Sequence, residues 1–188
     1  ARQLMGKVSL ASLERFQISQ FADFGRRVKD PLFAIKAMRK LVKSNLETNE
    51  ILTDDELVVY IRSLVKLGFF EEASRWVEKV NNKSLPELLD IQARMHISQW
   101  NYVEAIGPMQ QYLESLDSES YSFLVARLNY CACLNGAKRF ESSERVLSNT
   151  MQMAQSQGQP LIVANCLELL SQAYILSGRF LAGKDCIE

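Results

Sequence analysis

No apolar run in this 188-residue chain approaches the roughly 20 residues that a membrane span needs. No short apolar stretch near its start leads to a small-residue cleavage site, so neither an anchor nor a secretory leader is read in it. Cysteine is scarce and poorly placed for stapling: the four stand at 131, 133, 166 and 186, all in the last third. They are read as reduced thiols in an intracellular protein, cytoplasmic or nuclear. Cys131-x-Cys133 has only Cys166, Cys186 and His96 to complete a metal site, and the paired C-x2-C and H-x3-H spacings are missing. Two cysteines two apart on a helix point about 200° apart, away from any common ion. His96 is the single histidine and has no nucleophile motif beside it; P-loop, nucleophile elbow and glycine fingerprint are absent as well. These gaps remove the common catalytic classes, and the chain is read as no enzyme, with no cofactor and no metal.

Charge of one sign is also missing, since 22 basic side chains balance 22 acidic ones. That removes any overall electrostatic case for nucleic acid or an anionic membrane. The balance hides an asymmetry. Residues 1–45 hold 10 Lys/Arg against 3 Asp/Glu, and residues 46–188 hold 12 against 19. The N-terminal helices are therefore basic and the remainder acidic. The chain opens on Ala-Arg-Gln and closes on Asp-Cys-Ile-Glu without a stop signal, which reads as a segment cut at both ends.

Strand alternation is almost absent, and helical periodicity fills the space. The class is all-α. Thr53-Asp54-Asp55-Glu56 has capping-box spacing and predicts a helix from Asp54. Ser84-Leu85-Pro86-Glu87 repeats that spacing, and Pro86, Pro31 and Pro160 each suit a first helical turn, where a missing N–H costs nothing. The predicted helices are 8–26, 31–47, 54–67, 70–81, 86–98, 101–116, 119–136, 139–157, 160–177 and 180 to the end. Gly107-Pro108 falls inside the sixth, where it should bend the helix or postpone its start.

Four segments share a layout in which an aromatic precedes a small residue by three: Phe70 and Ala73, Tyr102 and Ala105, Phe140 and Ser143, Phe180 and Gly183. A large apolar residue follows four later, at Val77, Met109, Leu147 and Ile187. The small residue lets two helices approach, and the apolar one fills the space beside it. Ala93, Cys131 and Ser171 keep the facing helices small as well. Spacings between the small positions are 32, 38 and 40, and Ala34 stands 39 before Ala73 as the mark of a possible fifth unit. This layout resembles a divergent tetratricopeptide repeat, without the first-helix Trp and Gly of that family's pattern. The resemblance implies a right-handed α-solenoid of stacked helical hairpins, with repeats at about 54–85, 86–118, 119–158 and 160–188. Residues 1–50 would form a basic helical pair or divergent cap.

What the resemblance implies for function is a protein–protein interaction scaffold in a larger complex, its first helices lining a groove that grips a peptide or extended segment. The inward positions it implies are Asp55, Val58, Arg62, Lys66, Glu87, Asp90, Arg94, Ile97, Val125, Leu128, Ala132, Asn165, Glu168, Gln172 and Ile175. Arg62, Lys66 and Arg94 would take carboxylates; Asp90 and Glu168 would take basic side chains. Separately, Lys36, Arg39, Lys40 and Lys43 fall at i, i+3, i+4 and i+7, forming a basic ridge opposite Leu32, Ile35, Met38 and Val42. That ridge would meet an acidic partner or be an ordinary wet face. Two alternatives stand beside the scaffold. One is a ligand-responsive module of a transcriptional or signalling protein, suggested by the longer repeats from 119 onward. The other is RNA binding, through a pentatricopeptide-like array that also fits Leu64 to Val80 or through the basic N-terminal helices. The net acidity of residues 46–188 weighs against a phosphate-holding array.

Overall fold

A computed structural model of the chain describes residues 13–48 and 51–186. Every regular element among them is a helix: α1 Arg15–Arg27, α2 Pro31–Thr48, α3 Asp54–Lys66, α4 Phe70–Val77 and α5 Pro86–Ser98. There follow α6 Tyr102–Glu114, α7 Tyr121–Gly136, α8 Phe140–Ser156, α9 Pro160–Leu176 and α10 Phe180–Asp185. The chain divides into two compact units, Ala1–Ile91 and Gln92–Glu188, and the division falls inside α5.

Helix starts follow their local chemistry. Thr53 Oγ1 accepts from Glu56 N (3.3 Å) and Glu56 Oε2 accepts from Thr53 N (2.8 Å), a complete capping box at α3. α2, α5 and α9 begin at Pro31, Pro86 and Pro160, where proline forfeits no helical bond. The cap of α5 falls on Leu85, whose carbonyl accepts from Leu89 N, so Ser84 lies one residue outside its predicted register. α4 ends at Val77 and not at 81. Its continuation is diverted because the Asp54 carboxylate captures the Asn81 and Asn82 N–H groups, both at 2.9 Å, while Lys83 Nζ donates to the Val77 carbonyl. α6 neither starts late nor stops at Pro108. Glu104, whose carbonyl loses its partner to that proline, and Gly107 are both exposed, so water is at hand to satisfy the orphan. Residues 8–12 of the first predicted helix lie outside the described residues, as does Ile187.

One turn joins most successive helices. The residues Lys29, Gly68, Trp100, Lys138, Gly158 and Gly178 all have left-handed backbone, with φ from 58° to 81°. In each case the next N–H returns to the carbonyl five residues before it: Asp30 to Gly25, Phe69 to Leu64, Asn101 to His96, Arg139 to Leu134, Gln159 to Ala154 and Arg179 to Tyr174. This closure satisfies helix-end carbonyls and fixes the exit direction of the chain. After four of the turns the small residue lies buried: Ala73, Ala105, Ser143 and Gly183. Cys131 Sγ and Ser143 exchange weak bonds with each other's carbonyls, and a β-carbon at Gly183 would meet Ile175 at 3.1 Å.

In the first unit α1 packs on α2 and α3, α2 on α3, and α3 on α4, around Ile18, Met38, Ile61, Leu64 and Val80. In the second unit α7 is central, touching α6, α8 and α9. Cys131 joins Leu124, Leu147, Cys166 and Leu170 on one side, Cys133 and Leu134 join Ala105 and Ile106 on another, and Ala126 meets Ala93 and Met109. A helix buried on so many sides must be apolar almost all round, as α7 is.

Candidate functional site

Asp55, Val58, Val59 and Arg62 repeat at helical spacing on α3 and face a cleft of about 190 Å³ whose other walls are Asp23 of α1, Leu85 and Glu87. Four of the predicted inward positions, Asp55, Val58, Arg62 and Glu87, therefore line one depression. Its floor is aliphatic and its rim carries carboxylates. Arg62 crosses from α3 to α5, pairing with Asp90 Oδ2 at 3.5 Å and donating to the Glu87 carbonyl at 3.3 Å. Asp90 is only 7% exposed. Arg62 and Asp90, which the sequence offers to a partner's charges, thus satisfy each other across the hairpins, leaving Asp55 and Glu87 as the exposed charges of the cleft. Lys66 is exposed one turn beyond Arg62.

In the second unit Arg94 and Glu168 are exposed, Asn165 is half-buried, and Gln172 Nε2 donates to Glu168 Oε1 at 3.3 Å. Leu128 lies in the core with Val125 against it, so these two of the predicted inward residues serve packing. Ile97 packs on the Ala93 and Met109 cluster, and Ile175 is exposed.

The α2 ridge stands as four exposed cations, Lys36, Arg39, Lys40 and Lys43, the last 3.6 Å from Glu47. Behind it Met38 and Val42 are buried and Ile35 half-buried, but Leu32 in the first turn is exposed.

Polar networks that the sequence does not advertise tie helices together within each unit. Arg15 forks onto Glu56, Nε to Oε1 at 2.8 Å and Nη2 to Oε2 at 2.6 Å, and also reaches the Ile51 carbonyl. Burial alone would raise the Glu56 carboxyl; the Arg15 and Thr53 hydrogen bonds outweigh it and hold the group below its ordinary value. Tyr60 donates to Glu72 at 2.9 Å and meets Trp76 edge to face at 5.5 Å. Burial, then the Glu72 bond, pushes its phenol up. In the second unit the half-buried Arg127 donates to Thr150, Asn149 and the Val146 carbonyl. Glu144 accepts from Tyr174 (2.8 Å) and Arg179 (2.9 Å).

The thiols are chemically quiet. Desolvation pushes Cys131 up to about 12 and Cys133 and Cys166 up to about 11, so all three are neutral at physiological pH and poor nucleophiles or metal ligands. Among the described residues no group of three metal-binding side chains converges, and all four cysteines are free. His96 Nδ1 is buried without a hydrogen-bond partner among them. No helix among the described residues is long and apolar enough to cross a membrane.

No family model and no curated protein matches the chain. Solved structures do. Two crystal structures of nearly identical TPR-like repeats from a kinesin light chain-like protein of Podosopora anserina align over 91% of this chain and 90% of theirs. Each has a TM-score of 0.70, at 14% and 15% identity. BtubC (BKLC) from P. vanneervenii aligns over 91% of this chain and 76% of its own, with a TM-score of 0.66 and 18% identity. The fold is that of tetratricopeptide-like repeat solenoids, and at such identities the likeness concerns fold alone.

Proposed function

We propose that the chain is a non-catalytic interaction scaffold that binds an extended segment of another protein within a larger intracellular complex. What carries this reading is the cleft of Asp55, Val58, Val59, Arg62, Leu85 and Glu87, in which the inward positions of two successive hairpins converge on an aliphatic floor with an acidic rim. Val58, Val59 and Leu85 offer apolar contact to a partner side chain. Asp55 and Glu87 select positive charge beside it, because Arg62 is already matched by Asp90 and Asp23 is paired with Arg27. A segment alternating apolar and basic residues fits this chemistry. Lys66 is a candidate for a further contact on the first unit, and Arg94, Asn165, Glu168 and Gln172 are separate candidates on the second.

Affinity capture with the whole chain tests the idea. A protein that co-purifies with the parent should be lost from Asp55→Lys/Glu87→Lys, two exposed positions whose change leaves the core intact. Retention of every co-purifying protein by the folded double variant would refute the cleft as the binding site.

A further inference from the structure

Trp100 is the most conspicuous side chain that neither the core nor the cleft on α3 uses. It occupies the left-handed position of its turn with φ 62°, a place where three of the other five turns have glycine. A bulky L-residue there is strained, and it gains no burial in return, being 78% exposed. Its ring stands edge-on to Tyr102 at 6.0 Å and 90°. Tyr102 is itself braced, because its ring occupies the space that any β-carbon at Gly136 would need. The result is a supported aromatic plate at the tip of the α5–α6 turn. Gly136 ends α7 two residues ahead of Lys138, so the plate adjoins the next turn. That turn opens a cleft of about 570 Å³ lined by Lys138, Arg139, Phe140, Glu141, Ser142, Ser177 and Arg179. Arg179 is already held by Glu144. Lys138 and Arg139 are exposed, enter no ion pair among the described residues, and outnumber Glu141.

We propose that the turn edge of the second unit is a separate interaction surface, for an acidic peptide segment of another protein that seats an aromatic or apolar side chain against Trp100 and places carboxylates on Lys138 and Arg139. The plate supplies area at little conformational cost, and the paired cations supply sign selectivity. Nucleic acid could meet the same aromatic and cations, but the acidic Glu141 within the cleft opposes a phosphate chain more than it opposes discrete carboxylates.

Trp76 is 5% exposed, so the long-wavelength part of the tryptophan emission reports Trp100. The test titrates the whole chain at low salt with the fluorescein-labelled peptide Asp-Glu-Asp-Phe-Glu-Asp-Glu, reading anisotropy and Trp100 emission. Parent protein should bind, more weakly as salt rises. Trp100→Gly should lose at least tenfold in affinity while its Tm is unchanged or higher, since glycine relieves the strained backbone. Lys138→Glu/Arg139→Glu should lose as much, and Asp55→Lys/Glu87→Lys should bind like the parent, separating this surface from the cleft on α3. No peptide binding by the parent, undiminished binding by folded Trp100→Gly, or tighter binding of oligouridine through the same residues would each overturn the proposal.

Discussion

The two compact units hold together by different means. Residues of the first are tied by charged and polar contacts between elements far apart in sequence: Arg15 to Glu56, Arg62 to Asp90, Asp54 to the 81–82 backbone. The second has polar ties too, Arg127 to Thr150 and Asn135 to the Leu169 carbonyl, but adds small and apolar groups gathered around one central helix. Its α7 contributes Cys131, Cys133, Ala126 and Leu134 to three clusters, and its ion pair between Arg179 and Glu144 is on the surface. The contrast shows two routes to one helical-hairpin design. In the second unit Cys131 and Ser143 are both small, and their mutual bonds to each other's carbonyls record the close approach of α7 and α8.

The largest effect should follow from opening the apolar unit. Leu147 is fully buried among Leu124, Cys131 and Cys166, and Leu147→Ala should cost about 3 kcal/mol in denaturant unfolding, in the part of the transition reporting residues 92–186. The corresponding break in the polar unit is Glu56→Gln. It leaves Arg15 without its carboxylate while the amide oxygen can still accept from Thr53 N, for about 2 kcal/mol, since Arg15 is partly exposed and screened.

That second effect carries a pH signature that the first lacks. The folded-state Glu56 carboxyl is held below its ordinary value, so the unfolded chain binds the proton more readily. Its contribution is present above the unfolded carboxylate range and fades as pH falls through the lower folded value. The stability gap between parent and Glu56→Gln should therefore be full at neutral pH and shrink in acid, whereas the gap for Leu147→Ala should not follow this titration. A pH-independent gap for Glu56→Gln would remove the electrostatic side of the comparison.

Smaller effects probe features the units share. Thr53→Ala removes a cap oxygen and should cost about 1 kcal/mol, measured by thermal unfolding. Lys138→Gly should work in the opposite direction, gaining up to about 1 kcal/mol, because Lys138 takes a left-handed backbone with φ 59° that glycine adopts without steric penalty. A loss of stability in Lys138→Gly would show that its side chain contributes more than its backbone costs.

How much of this was legible in the sequence depends on how local the cause is. Helix starts at Asp54, Pro86 and Pro160 are set by residues within one turn of the boundary, and they fall where capping and proline chemistry predict them. The aromatic and small residues of the repeat are legible for the same reason: their spacing is the geometry of a single hairpin. Trp100 and Lys138 adopt the same turn as Gly68 and Gly178, but a left-handed residue without glycine leaves no mark in composition, and only its place in the repeat suggests it. Arg15 and Glu56 are 41 residues apart, and nothing in either neighbourhood announces the other. The inward face was partly legible. α3 presents Asp55, Val58 and Arg62 together as its period requires, but the pairing of Arg62 with Asp90 depends on how two helices pack, which no single-helix pattern contains.

Site-specific photocrosslinking in cells tests the central claim, that the α3 cleft receives a segment of another protein, most directly. A benzophenone side chain replacing Asp55 or Glu87 of the whole chain should capture one and the same polypeptide, and the same group at Gln110, exposed on α6, should not. Capture from Gln110 alone, or of unrelated proteins from Asp55 and Glu87, would contradict it.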